Sequence, residues 1–186
     1  MNFNAMTVRF ALFAAFLALL VAGATVRSPA ASTQPPAEVA SQVKAIDTDC
    51  LAIQNAIQAL KPIHIVNTKS TWKVESDEDV AVAERTKASV TIDDVWKQGS
   101  NYAWVHSHSY DQKGNQSATQ LCFRQKDGSL ERAKQAADVP GLNGAAAAVG
   151  YYTPDGTVIF KSETFEVNDP KLAKKITDLP FYKDLP

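Results

Sequence analysis

Two cysteines and three histidines are the only thiols and imidazoles in this 186-residue chain, and their placement removes several chemistries. Cys50 and Cys122 stand far apart, so there is no CxxC unit for a thioredoxin-type redox centre or a zinc ribbon. No GxxxxGK or GxGxxG occurs, which takes away the common glycine-rich phosphate and dinucleotide cradles. A GxSxG nucleophile elbow is missing too, and a hydrolase would have to draw its base from His64, His106 or His108. Ser41-Gln-Val-Lys44 has the spacing of a serine nucleophile and its lysine, but lacks the SDN and KTG companions. Charge of one sign is also absent: 19 basic residues face 20 acidic ones, a formal net charge of -1. That balance gives no electrostatic footprint for nucleic acid or an anionic membrane.

One long hydrophobic run is present, at the N-terminus. MNFNAMTVR leads into an uncharged stretch from Phe10 to Ala24, the short basic region and apolar core of a secretory signal. Small residues place cleavage between about 24 and 31, and residues 1–30 are read as the signal peptide. No cysteine follows the run, which argues against a lipid-anchored product. Extended through Val26 the run reaches about 17 residues, the lower limit of a membrane span, so a retained anchor is the alternative. The expectation is a periplasmic or secreted protein with no stable membrane span once the signal is removed. Residues 31–37 have the proline and small-residue composition of a linker, leaving 38–186 as a single folded domain large enough for its own core. Loss of the first 30 residues discards Arg9 and Arg27 and takes the formal charge to -3.

Apolar positions Val39, Val43, Ile46, Cys50, Ile53, Ile57 and Leu60 then alternate in steps of four and three. This predicts one helix seam from about residue 36 or 38 to 60, stopped by Pro62. Beyond Pro62 the period changes to strict alternation, and strands are expected at about 63–74, 88–97, 101–111, 118–126, 129–135, 145–153 and 157–165, with Gly99-Ser100, Lys113-Gly114-Asn115, Asp127-Gly128 and Pro154-Asp155-Gly156 as turns. The acidic start of 76–89 suits a short helical turn. LCFRQKDGSL and VGYYTPDGTV share a strand–Asp-Gly–strand pattern, read as two hairpins meeting the same turn constraint. Asn168 or Asp169, Pro170 and Pro180 bracket a short C-terminal helix, with Leu172, Ile176 and Leu179 packing it down and Phe181 or Tyr182 holding the tail. The fold class is therefore α+β: a long N-terminal helix on a strongly twisted antiparallel meander of about six or seven strands.

Cys50 in the helix seam and Cys122 in a strand predict a disulfide that staples helix to sheet after export. Its loop of about 70 residues would stabilise the domain by roughly 2–4 kcal/mol in the chain-entropy account. Strand parity adds a face argument. If Cys122 faces the helix, the small residues Ala103, Val105, Ser107 and Ser109 are expected beneath it. Tyr102, Trp104, His106, His108 and Tyr110 then join Leu121 and Phe123 on the opposite face, with Trp72, Trp96, Tyr151 and Phe160 as further members. Such a face would hold a small apolar or aromatic ligand, or pack as a second core.

A binding or structural role without a cofactor, with a small apolar ligand or an envelope protein as partner, is expected ahead of catalysis. The alternative is a Zn or Cu protein built on His106 and His108, whose imidazoles project from one side of a strand but need a third ligand, for which His64, Asp93, Asp94 and Asp111 are the available types. A hydrolase without a recognisable motif is the further alternative.

Overall fold

A computed structural model of the protein describes residues 34–68, 71–86, 89–112, 115–138, 145–163 and 172–186. The expected signal segment, most of the small-residue stretch before the helix, and the start of the C-terminal helix lie outside the described residues. Those described belong to one compact unit, Ala31–Pro186, and none of their helices is long and apolar enough to cross a membrane.

Helix α1 (Ala37–Ile57) buries Val43, Ile46, Cys50, Ile53 and Ile57, the seam given by the three-and-four spacing. It ends one turn short of the expected Leu60. Pro62 disfavours helical backbone at Lys61, and the Leu60 carbonyl instead accepts a hydrogen bond from the Trp96 indole at 3.3 Å.

Eight strands follow in an α+β arrangement: β1 (Ile63–Thr68), β2 (Thr71–Glu75), β3 (Val90–Gln98), β4 (Asn101–Tyr110), β5 (Gln116–Phe123), β6 (Leu130–Asp138), β7 (Ala145–Tyr152) and β8 (Val158–Glu163). They make one antiparallel sheet in the order β2-β1-β3-β4-β5-β6-β7-β8. The count exceeds the expected six or seven because the stretch expected as one strand over 63–74 is a pair, β1 and β2, with its polar middle, Asn67 to Ser70, at the break.

Helix α2 (Asp77–Thr86) carries the chain from β2 at the sheet edge back to β3. Where a helical turn was expected there is a ten-residue helix. Ser76 and Asp79 form its capping box: the Asp79 amide donates to Ser76 Oγ at 3.3 Å, and the Ser76 amide to Asp79 Oδ2 at 3.3 Å, satisfying two of the first-turn donors. Val80, fully buried, packs it onto Val66, Val90 and Ile92.

The two sheet faces have different covers. On one, the α1 seam meets Trp96, Trp104, Cys122 and Tyr151. On the other, Ile65, Val95, Val105, Leu121, Phe123 and Tyr152 are capped by the C-terminal segment through Ile176 and Phe181, with Leu172, Leu179, Tyr182 and Leu185 beside them. The described part of that segment contains two 3-10 turns, Ile176–Asp178 and Tyr182–Asp184, rather than the expected α-helix, and Pro180 separates them. Gly128 and Gly156 take positive φ, 67° and 84°, in the two Asp-Gly turns. In each turn the aspartate accepts the amide two residues on, from Ser129 and Thr157, which accounts for their likeness as one turn chemistry used twice.

Candidate functional site

Sheet register builds the site. Asp94 in β3 lies opposite His64 of β1 and His106 of β4, so three neighbouring strands set His64, Asp94 and His106 in a row on one face. His108, two residues beyond His106, projects from that same face. The Asp94 carboxylate and the His106 and His108 imidazoles bring ligand atoms within 4.8 Å of one another. The two rings stand 4.0 Å apart between centroids. This is the helix-bearing face: Trp96 and Trp104 under α1 lie one step along the strands, and Ile92 under α2 lies on the other side.

A second layer holds Asp94. His64 Nδ1 lies 2.6 Å from Asp94 Oδ1, and His64 Nε2 lies 3.0 Å from Asp77 Oδ1 at the start of α2. The hydrogen bond to Asp94 is the main reason the His64 pKa is raised; burial opposes it, and the Asp94 and Asp77 charges add to it. His106 behaves in the opposite way. Burial, with the adjacent His108, pushes its pKa down to about 3, so at neutral pH it offers a neutral imidazole, the form that ligates metals. Gln116 Nε2 lies 3.5 Å from His108 Nδ1.

The expected aromatic face divides. Trp104 pairs with Cys122, and Val105 with Leu121, so Trp104, His106 and His108 share the Cys122 face while Leu121 and Phe123 lie on the other. Tyr110 packs near α2. A bulge facing Trp96/Lys97 shifts the register so that Lys97 pairs with Tyr102 and Trp96 with Trp104. The extra residue, Ala103, is buried in the α1 cluster, whereas Tyr102 joins the C-terminal segment, edge-on to Tyr182 at 6.1 Å. Trp72 also faces that segment, 5.0 Å from Phe181. The large residues, not the small set Val105, Ser107 and Ser109, therefore lie on the helix side. Tyr151 and Phe160 stack at 6.2 Å and, with α1 residues Val43, Lys44, Asp47 and Leu51, line a cleft of about 480 Å³.

Cys50 and Cys122 meet between α1 and the sheet, but as free, buried thiols rather than the expected disulfide. Between them stands Glu131, which no spacing in the sequence singled out; its Oε1 accepts from Cys122 Sγ at 3.3 Å and from Cys50 Sγ at 3.5 Å. Close by, Arg132 spans the helix–sheet interface to Asp47 at 2.7 Å.

Fold and site together define an α+β domain with an imidazole–carboxylate cluster on the helix-covered face of an antiparallel sheet. No protein-family model, curated protein or solved structure matches the chain.

Proposed function

We propose that this is an exported, non-catalytic binding domain whose occupant is a transition-metal ion, held by Asp94, His106 and His108. The observation that carries the reading is the convergence of those three ligand atoms within 4.8 Å, with His64 fixing the Asp94 carboxylate from behind. Two imidazoles and one carboxylate suit Zn²⁺ or Cu²⁺, with a further position left for water or a ligand. Ligand atoms around a tetrahedral ion at about 2.1 Å lie roughly 3.4 Å apart, so side-chain rotation is enough to close the set. His64 supplies the outer-shell support that orients a ligating carboxylate, and Asp77 orients His64 in turn.

Protein purified without a histidine tag and saturated with Zn²⁺ or Cu²⁺ should retain about one ion per chain after desalting, read by elemental analysis. The His106→Ala/His108→Ala double variant should retain none. Asp94→Asn should weaken affinity at least tenfold, and His64→Ala by about 10- to 100-fold as an outer-shell change. No stoichiometric metal under replete conditions, or undiminished metal in the double variant, would sink the proposal.

The cleft beside α1 favours a second occupant, a small apolar or aromatic molecule. Its volume of about 480 Å³ lies in the range of small-molecule sites, and the Tyr151–Phe160 stack supplies an aromatic wall. Native mass spectrometry of protein taken from its source envelope should show an organic adduct that Phe160→Ala loses. An adduct unaffected by that change would place the ligand elsewhere.

A further inference from the structure

Cys50, Cys122 and Glu131 are exposed by only 0%, 1% and 3%, and both thiols point at one carboxylate oxygen. The sulfurs and that oxygen lie within 4.8 Å of one another. Cys50 belongs to α1, whereas Cys122 and Glu131 belong to β5 and β6, neighbours in the sheet. Lifting α1 therefore removes Cys50 and leaves Cys122 with its carboxylate. The charges around the trio are Asp47 and Asp49 on α1, Arg124 just past β5, and Arg132 and Lys134 on β6. Arg124 Nε stands 3.7 Å from Glu131 Oε2. Guanidinium groups at its margin make the cluster a poor host for a cation and a good one for a transient thiolate.

We propose that this is a carboxylate-assisted dithiol switch: Glu131 takes the proton from Cys122, Cys122 attacks an external disulfide, and Cys50 resolves the product as α1 docks. The oxidant is a low-molecular-weight or protein disulfide, RSSR. In the first step Cys122 S–H loses its proton to the Glu131 carboxylate, and the thiolate attacks one sulfur of RSSR. The S–S bond breaks, a Cys122–SR mixed disulfide forms, and the departing RS⁻ takes the proton back from Glu131. In the second step Cys50 gives its proton to Glu131 and attacks the Cys122 sulfur. A Cys50–Cys122 disulfide forms, and the second RS⁻ leaves with that proton. The dithiol is oxidised by two electrons, RSSR is reduced to two RSH, and Glu131 is regenerated. Burial raises the Glu131 pKa, which brings it closer to that of a thiol and suits it to the exchange. The consequence is a covalent tie between α1 and β5 that forms only when the helix is seated.

The test treats full-length mature protein, reduced and then desalted, with oxidised glutathione across pH 6–9, following thiol loss and peptide masses. Wild type should close to an intramolecular Cys50–Cys122 bond, and Cys50→Ser should accumulate a glutathione adduct on Cys122. Glu131→Gln should slow closure at least about tenfold near pH 7, with the gap narrowing as pH rises and the thiols ionise unaided. Glu131→Asp should recover part of the rate, which a purely structural role would not reproduce. The proposal is overturned if folded wild type keeps two free thiols, if Cys50→Ser takes no adduct at Cys122, or if a folded Glu131→Gln protein closes with the wild-type pH profile. Should Glu131→Gln fail to fold, the Cys50→Ser trapping result decides alone.

Discussion

Replacing Phe181 with alanine should destabilise the domain by about 3–5 kcal/mol, the range for emptying a buried aromatic site. Phe181 is 1% exposed, although it sits six residues from the C-terminus. It packs against Trp72 at 5.0 Å and closes over Ile65, Val95, Val105, Leu121 and Phe123. A terminal segment is ordinarily the least costly part of a fold to disturb. Here it is the cover of one whole sheet face, so losing its anchor exposes a row of β-branched and aromatic residues. Urea denaturation followed by far-UV circular dichroism gives the measurement. A lowered midpoint with an unchanged slope reports lost packing, and a reduced slope reports a tail already undocked in the native state. Tyr182→Ala, at a partly exposed ring with one edge-on contact to Tyr102, should cost distinctly less. A Phe181→Ala cost below about 1.5 kcal/mol would mean that the tail lies on the sheet without being part of its core.

The same tail explains why a sequence reading places the aromatic residues on the wrong side. The helix seam from Val43 to Ile57 was legible because one periodicity, sustained over 21 residues, has one structural solution. The hairpin turns were legible because Asp-Gly pairs demand a positive φ. Which face of β4 meets α1 was not legible, since it depends on register. Pairing Trp104 with Cys122 moves the indole under the helix, and one bulge separates Tyr102 from Trp104. Parity carries information along a single uninterrupted strand; an extra residue such as Ala103 reverses it.

The candidate site was half legible for a related reason. His106 and His108 share a face by local geometry alone, and Asp94 and His64 were available types without a position. Only the pairing of β1, β3 and β4, which joins segments up to about 40 residues apart, aligns His64, Asp94 and His106. Glu131 left a weaker trace: a charged pair, Glu131-Arg132, inside a predicted strand. Such a pair is uncommon in a strand interior unless each charge has a partner. Both do, Glu131 with the thiols and Arg124, Arg132 with Asp47.

Asp93→Asn should remove a pH-dependent loss of stability on the order of 2–4 kcal/mol between about pH 4 and 7. Asp93 points to the face opposite Asp94, is 3% exposed, and accepts a hydrogen bond from Ser107 on one oxygen. Its other oxygen is buried without a partner. Burial raises its pKa to about 7, with the neighbouring Asp94 charge adding to the rise and the Ser107 bond opposing it. The unfolded value is near 3.9. Between these two values the folded protein holds a proton that the unfolded chain has released, so stability falls as pH rises through the window and levels off above about 7. An asparagine remains neutral throughout. Its free energy of unfolding, relative to wild type, should therefore drift upward from pH 4 to 7.5, whatever constant penalty its amide incurs at the unpartnered position. Taking the difference between variant and wild type cancels the contribution of His64, whose raised pKa also makes stability fall with rising pH in both proteins. Chemical denaturation at half-unit pH steps, with a chelator present so that metal linkage does not enter, provides the curve. Parallel wild-type and variant profiles would show that Asp93 ionises in the folded protein as it does in water. A widening gap would identify one buried carboxyl as a source of acid-favoured stability in this domain.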